Sequence, residues 1–446
     1  MFINSLSSEF NDRVGLSLNY SYHNALKLNK PIVSACDKKI LRELAERVSE
    51  LAHNPLEEDK KELWYKHNNL IKVRPLVFCD PENGWYEIIR PEDLSCEGGL
   101  SRVIEYRLKK EIFWAYKMKD DRVIEPVFPV PYIYDEIDRG LHEQFVGKEE
   151  AGDAYTWVPP LKDYSQMSTM RYKSFKLDKK KTAENVSVIG EIFSDVLPLR
   201  YLGAWWWSLC PTHDVINLRG LEQMMLDMYD EPDNLHKLMA FLRDEALVYI
   251  DKLESENLLT LNNDGTYVAS GGFGWTNELP VAGFDKNHIR TRDLWGFAES
   301  QETSCVSPQM FNEFVLHYQL PVLECFGLNC YGCCEPLDTR WQYVKKIPRL
   351  RRVSVSHWAD FERMAEILGE NYVLSWKPTP SDLAVPQIDQ EYLRQKIRKA
   401  ISVSEKYGCH LEIIMKDCHT LSGNPQNIIS FARIAREEAG GETYDE

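Results

Sequence analysis

The chain has 446 residues, and its 69 acidic side chains outnumber its 53 basic ones. A net charge of -16 repels phosphate backbones and anionic lipid, so we expect neither a nucleic acid nor a membrane as a partner. The N-terminus lacks a basic stretch followed by an apolar run, and no long uncharged apolar segment follows, which predicts a cytoplasmic protein. Its eleven cysteines are odd in number and scattered, which does not indicate a disulfide framework.

Residues 1–70 predict an N-terminal helical extension, because apolar residues recur at helical spacing among charged ones, as in DKKILRELAERVSELAHNPLEEDKKELWYKHNNLI. From residue 71 to 446, short apolar or β-branched runs alternate with long amphipathic segments. Ser307 and Pro308 begin one of these segments as N-cap and first helical residue. Nine runs are candidate strands: IKVRPLVF, RVIEPVFPV, LRYLGAWWW, NLLTLNN, LWGFAES, FGLNCYGC, LRRVSVS, NYVLSWK and HLEIIMK.

Strands that alternate with helices predict parallel strands joined by helical crossovers. A closed (β/α)8 TIM barrel needs eight strands, so one of the nine candidates should not belong to the ring, and we expect it before residue 130. An open doubly wound sheet is the alternative, but no G-x-G-x-x-G fingerprint follows an early strand. We therefore expect an α/β protein in which residues 71–446 form a TIM barrel with insertions.

In a TIM barrel, functional side chains lie at the C-terminal ends of the strands and in the loops that follow. This rule turns the sequence into a short set of candidates. The residues at the predicted strand ends are Trp205, Trp206, Trp207, Asn262, Asn263, Asp264, Glu299, Gln301, Glu302, the segment 330–335, Ser356, His357, Trp376, Lys377, Asp417, Cys418 and His419.

Three cysteines cluster in the segment LNCYGCCEPLDTRW, at Cys330, Cys333 and Cys334. A structural zinc site usually has two C-x-x-C or C-x-x-H knuckles, and the second is missing here. Strand alternation places Tyr331 and Cys333 on one face and Cys330 and Cys334 on the other, which favours Cys333 as a metal ligand. Cys418, at another strand end, is a second thiol that can converge on the same ion. The alternatives are small buried hydrophobes or a redox pair, and the redox pair is disfavoured because Cys330 lies inside a strand.

The segments YGCCEPL and MKDCHTLSGNPQNIISFARIA resemble strand ends of zinc-dependent methyltransferases in the uroporphyrinogen decarboxylase-like superfamily. The first resembles the family's H-x-C-G-x-x-x-L motif, and the second its closing strand and P-x-N-I helix. The layout is also similar to that of cobalamin-independent methionine synthase, from about residue 195 onward. The resemblance implies a TIM barrel with zinc at its mouth, where Cys333 and Cys418 take the places of the two ligand cysteines.

The ligand set departs from the family pattern in two places. The family's histidine falls on Tyr331, and its glutamate comes from the next strand, where His357 is the nearest donor. Glu335 and Glu299 are substitutes for that ligand. The resemblance therefore implies zinc held by Cys333, Cys418 and His357.

The activity that the resemblance implies is methyl transfer between a small methylated compound and a corrinoid protein. The compound is an aryl ether, an amine or a thiol, and the direction of transfer stays open. Zinc would act as a Lewis acid on the heteroatom. The segment DCHTLSG approaches the D-x-H-x-x-G corrinoid signature, but Gly423 lies one place too late and only 27 residues follow His419. We therefore expect the corrinoid to be carried by a partner protein.

Further side chains at the strand ends are candidates for substrate binding and catalysis. A tryptophan run could wall a pocket or pack between barrel and helices, and a lysine could act as an acid near a departing oxygen. The substrate-binding candidates are Trp205, Trp206, Trp207 and Asn263, and the catalytic candidates are Glu299, Lys377 and Tyr331. The alternative functions are a decarboxylase, disfavoured because no R-Q-A-G-R-Y signature is found, and a non-catalytic barrel with structural zinc.

Overall fold

The structure is a computed structural model, and it describes residues 19–142, 144–146, 156–202, 208–209 and 211–441. Its α-helices are α1 Asn19–Leu28, α2 Ala35–Ala52, α3 Pro55–Asn68, α4 Trp85–Ile88, α5 Gly99–Phe113, α6 Lys179–Phe193, α7 Thr212–Arg219, α8 Leu221–Asp230, α9 Pro232–Ser255, α10 Pro308–Phe311, α11 His317–Leu323, α12 Trp341–Val344, α13 Phe361–Leu368, α14 Gln390–Lys406 and α15 Gln426–Glu438. Its strands are β1 Leu76–Cys79, β2 Phe128–Pro131, β3 Tyr134–Ile137, β4 Gln144–Val146, β5 Thr156–Val158, β6 Ser174–Leu177, β7 Leu199–Leu202, β8 Trp295–Ala298, β9 Leu328–Tyr331, β10 Leu350–Val355, β11 Val373–Trp376 and β12 His410–Met415.

Six strands form one parallel sheet in the order β1-β12-β11-β10-β9-β8. Every residue of β1, β8, β9, β11 and β12 is buried. Such continuous burial is typical of a parallel sheet that is covered on both faces. Because the strands are parallel, the loops that follow all six lie along one edge of the sheet, here called the carboxyl edge.

The remaining strands form three two-stranded ladders. Strands β2 and β7 pair in parallel, whereas β3 pairs with β6 and β4 with β5 in antiparallel fashion. The molecule is thus a mixed α/β protein with a six-stranded parallel sheet. Within the described ranges, no helix is long and apolar enough to cross a membrane.

Eight of the nine candidate strands contain a strand, and the exception is NLLTLNN at residues 257–263. This candidate lies after residue 130, whereas both candidates before residue 130 contain a strand, β1 and β2. Asn257 has a φ of 53°, which breaks the extended backbone. The Asn262 side chain bonds to the backbone of β8 in place of strand–strand hydrogen bonds. Its Oδ1 accepts from Trp295 N at 2.9 Å, and its Nδ2 donates to Trp295 O at 3.0 Å.

Helix α3 attaches the N-terminal helices to the sheet. His67 Nε2 lies 3.1 Å from Glu412 Oε2, near the amino end of β12. Asn68 Nδ2 donates to the carbonyls of Phe273 and Trp275 at 2.9 and 2.7 Å. These contacts are fully buried, so α3 is fastened to the sheet on the side away from the carboxyl edge.

Candidate active site

The carboxyl edge gathers ionisable side chains from the loops after β1, β8, β9, β11 and β12. Parallel pairing places these loops side by side, as the sequence predicted. The side chains are Asp80 and Glu82 after β1, Glu299 and Glu302 after β8, Cys333, Cys334 and Glu335 after β9, Lys377 after β11, and Lys416, Asp417 and Cys418 after β12.

The thiols of Cys333 and Cys334 lie together, with 3.6 Å between their Sγ atoms. Strand β9 ends at Tyr331. Gly332 then turns the chain with a φ of 94°, a backbone conformation that residues other than glycine rarely adopt. The predicted strand alternation, which placed the two cysteines on opposite faces, therefore does not apply to them. The Cys334 Sγ lies 3.9 Å from Asp417 Oδ2, which links the β9 and β12 loops.

Cys418 lies in different surroundings from Cys333. Its Sγ is 3.8 Å from the Lys416 carbonyl, and the Cys79 thiol at the end of β1 is close enough to interact electrostatically. Burial, together with the charge of Glu82, raises the pKa of the Cys418 thiol well above its usual value. Across the described residues no contact joins the Cys333 and Cys418 thiols.

His357 is the third ligand implied by the resemblance, and it lies half-buried after β10. Its ring packs against that of Trp358 at 4.6 Å. Burial and the charge of Lys396 lower its pKa, so the imidazole is neutral at neutral pH. The structure does not bring His357 into contact with Cys333 or Cys418.

The thiol pair fits zinc in kind and in spacing. Two thiolates that share one tetrahedral zinc at about 2.3 Å lie about 3.8 Å apart, close to the 3.6 Å between Cys333 and Cys334. Asp417, beside Cys334, is an oxygen donor of a type that zinc accepts. Where the structure describes the chain, no three His, Cys, Asp or Glu side chains are arranged to hold a metal ion. The fit to zinc therefore rests on the thiol pair alone.

Lys416 is a buried cation beside the thiol pair. Its Nζ lies 3.6 Å from Asp417 Oδ1 and 3.8 Å from Glu82 Oε1. Burial lowers the pKa of Lys416, but Tyr267, Cys333 and the two carboxylates outweigh burial and raise that pKa well above its usual value. Lys416 is therefore charged at neutral pH, and the carboxyl edge has a positive centre next to Cys333.

The backbone is strained on both sides of Lys416. Glu82 has a φ of 49° and Asp417 a φ of 59°, a left-handed conformation that costs energy for residues other than glycine. Such strain concentrates at functional sites, where the surrounding structure holds it in place. Burial raises the pKa of Glu82 to about 7, although Lys416 opposes the shift.

Glu299 and Glu335 form a second buried group on the other side of Cys333. Glu335 accepts hydrogen bonds from Ser300 N at 2.7 Å, from Ser300 Oγ at 3.1 Å and from Cys333 N at 2.9 Å. Glu299 accepts from Thr212 Oγ1 at 3.0 Å and from the backbone N–H of residue 301 at 2.8 Å. Burial raises the pKa of both carboxyls, and for Glu299 the nearby acids raise it further.

Lys377 lies above a buried ion pair inside the sheet. Its Nζ donates to Ser375 Oγ at 2.5 Å, and below it Arg352 pairs with Glu412 at 3.0 Å. Burial lowers the pKa of Lys377 to about 8, although Glu412 opposes the shift. Lys377 follows β11 at the carboxyl edge, and its ammonium already has an acceptor in Ser375.

Two more predicted residues have structural partners. The hydroxyl of Tyr331 is fully buried and donates to Gln319 Oε1 at 2.8 Å. Asn263 Nδ2 donates to the Leu279 carbonyl at 2.7 Å. The predicted tryptophans, Trp205, Trp206 and Trp207, lie outside the described residues.

Sequence reasoning missed four side chains of the carboxyl edge, namely Asp80, Glu82, Lys416 and Tyr267. Lys416 carried a usable signal, since it is a charged residue at the end of an apolar strand and directly precedes the candidate Asp417. Glu82 follows β1 in the same way, at the end of a candidate strand. Tyr267 carried none, because it lies in an irregular segment whose position depends on tertiary contacts.

The two buried arginines nearest these loops already have partners. Arg340 donates to Ser300 Oγ at 3.1 Å, and it also donates to the carbonyls of Thr303 and Val306. Arg352 pairs with Glu412 inside the sheet. A decarboxylase that grips several substrate carboxylates needs clustered arginines with free donors, and these two do not supply them.

Comparisons with known proteins give a likeness in structure but none in sequence. No protein-family model matches the chain, and no curated protein matches it. Among solved structures, the chain is similar to a methyltransferase from Methanosarcina mazei, with a TM-score of 0.47 and 11% sequence identity. The match covers 85% of this chain and 98% of that one. A likeness at this level assigns no family.

Proposed function

We propose that the protein is a cytoplasmic methyltransferase of the uroporphyrinogen decarboxylase-like superfamily. It would move a methyl group between a small methylated compound, an aryl ether, amine or thiol, and a corrinoid bound to a separate protein. The observation that carries the proposal is the Cys333–Cys334 thiol pair, which lies at the carboxyl edge of six parallel strands. That is the strand end at which the sequence resemblance expects a thiolate.

We also propose that residues 71–446 complete a (β/α)8 barrel and that residues 1–70 are a helical extension. Strands β2 and β7 would complete the eight strands by spanning the gap between the edge strands β1 and β8, and the segment 257–263 would lie beside β8. Two contacts support this arrangement. Asp121 N donates to the carbonyl of Val77 in β1 at 2.9 Å, and Asn262 pairs with Trp295 in β8.

Zinc would be held by Cys333 with Cys334, or with Cys418 and His357 as the resemblance implies. When bound, it would polarise the heteroatom that carries the methyl group. Hydrogen bonds within the protein hold the loops of this site in place. Glu335 bridges the backbone N–H groups of Cys333 and Ser300, so it fixes the β9 loop against the β8 loop.

Metal analysis of single cysteine variants tests this proposal. We expect one zinc per wild-type chain, and loss of that zinc in Cys333→Ala. Cys334→Ala and Cys418→Ala decide the second thiolate, since only the true ligand should lower zinc content. Cys305→Ala, which removes an exposed cysteine of the β8 loop, is the control and should keep its zinc.

Two outcomes would overturn the proposal. If the wild-type protein contains no zinc, the proposed metal is wrong. If the Cys333→Ala variant keeps stoichiometric zinc, the proposed metal site is wrong. Thermal melting of the metal-free protein separates a catalytic from a structural ion, because an open catalytic site leaves a folded apoprotein. A screen of methylated amines, thiols and aryl ethers with cobalt(I) cobalamin then tests methyl transfer itself.

A further inference from the structure

Two hydrogen-bond donors at the carboxyl edge have no acceptor among the described residues, the Lys416 ammonium and the Tyr267 hydroxyl. Lys416 is 6% exposed, and its two carboxylate neighbours at 3.6 and 3.8 Å are too distant for hydrogen bonds. The Tyr267 hydroxyl oxygen is buried and has no hydrogen-bond partner among the described residues. Buried donors are nearly always satisfied, so a pair without acceptors calls for an explanation.

The two donors lie at the carboxyl end of the β1–β12 pair. The Tyr267 ring packs on that of Phe78 in β1, with 5.7 Å between the centroids. Lys416 directly follows Met415, whose carbonyl accepts from Asp80 N at 2.9 Å. Tyr267 and Cys333 are among the charged or polar groups that act most strongly on the Lys416 ammonium. Glu82 and Asp417 pair with this ammonium at 3.8 and 3.6 Å, beyond hydrogen-bond distance. Lys377, the other lysine of the edge, differs because it donates to Ser375 at 2.5 Å.

We propose that Lys416 and Tyr267 form an oxyanion site, and that the methyl donor is therefore an aryl methyl ether. This inference rests on the proposed methyl transfer and narrows its substrate class. Two preorganised donors in a site shielded from water stabilise a negative charge that develops during a reaction. The oxygen atom of a departing phenolate is such a charge, and it would lie within reach of both donors while its methyl group faces the corrinoid.

The step balances with the corrinoid as co-substrate. The bond between the methyl carbon and the ether oxygen breaks, and its electron pair stays on oxygen. Cobalt(I) of the corrinoid protein supplies the electron pair of the new carbon–cobalt bond and becomes formally cobalt(III). The phenolate accepts hydrogen bonds from Lys416 and Tyr267, and it takes a proton from water on release.

The same donors discriminate against the other two substrate classes. A methylammonium head would lie next to the Lys416 cation, and like charges in a buried site repel strongly. A thiolate needs less stabilisation as a leaving group, since thiols have a pKa of about 8.5 against about 10 for a phenol. Oxygen is the leaving atom for which a cation and a hydroxyl donor give the largest benefit.

Lys416→Met, Lys416→Arg and Tyr267→Phe test the inference in a methyl-transfer assay with cobalt(I) cobalamin. The substrates are anisoles whose ring substituents vary the acidity of the departing phenol, beside trimethylamine and a methyl thioether. Tyr106→Phe is the matched control, because it also removes a buried tyrosine hydroxyl without a partner, on helix α5. Zinc content and melting temperature are measured for each variant.

We expect Lys416→Met to slow demethylation of anisole about 100- to 1000-fold and Tyr267→Phe about 10-fold or more. The loss should shrink to less than about 10-fold for 4-nitroanisole, whose phenolate needs little stabilisation, and Lys416→Arg should retain part of the rate.

A merely structural role would slow all ethers equally, so a loss independent of the leaving group overturns the inference. Wild-type protein that demethylates the amine or thioether but not the ethers also overturns it, while the proposed methyl transfer stands. Wild-type protein inactive toward all three classes overturns both.

Discussion

The buried ion pair between Arg352 and Glu412 should be a main support of the sheet beneath the site. Arg352 Nε lies 3.0 Å from Glu412 Oε1, and both side chains are at most 2% exposed. His67 adds a contact to the other carboxylate oxygen at 3.1 Å. Glu412→Gln leaves the Arg352 charge buried without its partner, which costs about 3–5 kcal/mol in the free energy of unfolding.

The pH dependence of stability gives an independent value for the same carboxylate. Burial alone would raise the pKa of Glu412, but the Arg352 charge and the His67 hydrogen bond lower it from 4.5 to about 2. A carboxyl with a lowered pKa stabilises the folded state above its unfolded pKa, and this contribution is lost as the pH falls toward 2. The shift corresponds to about 3 kcal/mol, which agrees with the cost expected for Glu412→Gln.

Urea unfolding at pH 7 and at steps down to pH 3 measures both quantities. We expect the wild type to lose stability relative to Glu412→Gln as the pH falls below 5. Glu362→Gln is the control, because Glu362 pairs with Lys406 on the surface, where solvent screens the pair, and its loss should change stability little. The reasoning fails if Glu412→Gln unfolds within about 1 kcal/mol of wild type at pH 7. It also fails if the variant follows the same pH curve as wild type.

Three further substitutions test contacts around the site by urea unfolding. Arg340→Met removes donors to Ser300 and to two carbonyls of the β8 loop and should cost about 3 kcal/mol, and unchanged stability would contradict this. Tyr331→Phe removes a hydroxyl that donates to Gln319; we expect a loss of about 1–2 kcal/mol with a methyl-transfer rate within threefold of wild type. A tenfold loss of rate would instead place this hydroxyl in the chemistry. Asn262→Ala leaves two backbone groups of β8 unpaired and should cost about 2–3 kcal/mol, whereas exposed Asn287→Ala should cost little.

The strands of the six-stranded sheet were predictable because they are short apolar runs, buried over most of their length and bounded by turn residues. The cap at Ser307 was also predictable, and its side chain accepts from the backbone N–H of residue 310. The position of Cys334 was not predictable, because β9 and its alternation end at Tyr331, two residues before the end of the predicted strand, at the turn of Gly332. Local pattern thus locates the strand ends, whereas tertiary packing decides which side chains meet there.

Tertiary packing also determines which of two neighbouring carboxyl groups is ionised. Glu299 and Glu335 are an example. Both are fully buried after adjacent strands, so the sequence treats them alike. Glu335 accepts three hydrogen bonds, which stabilise its carboxylate against burial. Glu299 accepts one hydrogen bond from a side chain and one from a backbone N–H. Burial, together with the nearby acids, raises its pKa well above the usual value. We infer that Glu335 is ionised and Glu299 protonated at neutral pH.

The two glutamine variants should therefore differ in the sign of their effect on stability. A carboxyl with a raised pKa destabilises the folded state increasingly as the pH rises above its unfolded value of 4.5. Glu299→Gln mimics the protonated acid, so its stability relative to wild type should rise between pH 5 and pH 8. Glu335→Gln loses an ionised acceptor and should cost about 2–4 kcal/mol at pH 7. Equal destabilisation by both substitutions at pH 7 would show that the charge is shared and would contradict the assignment.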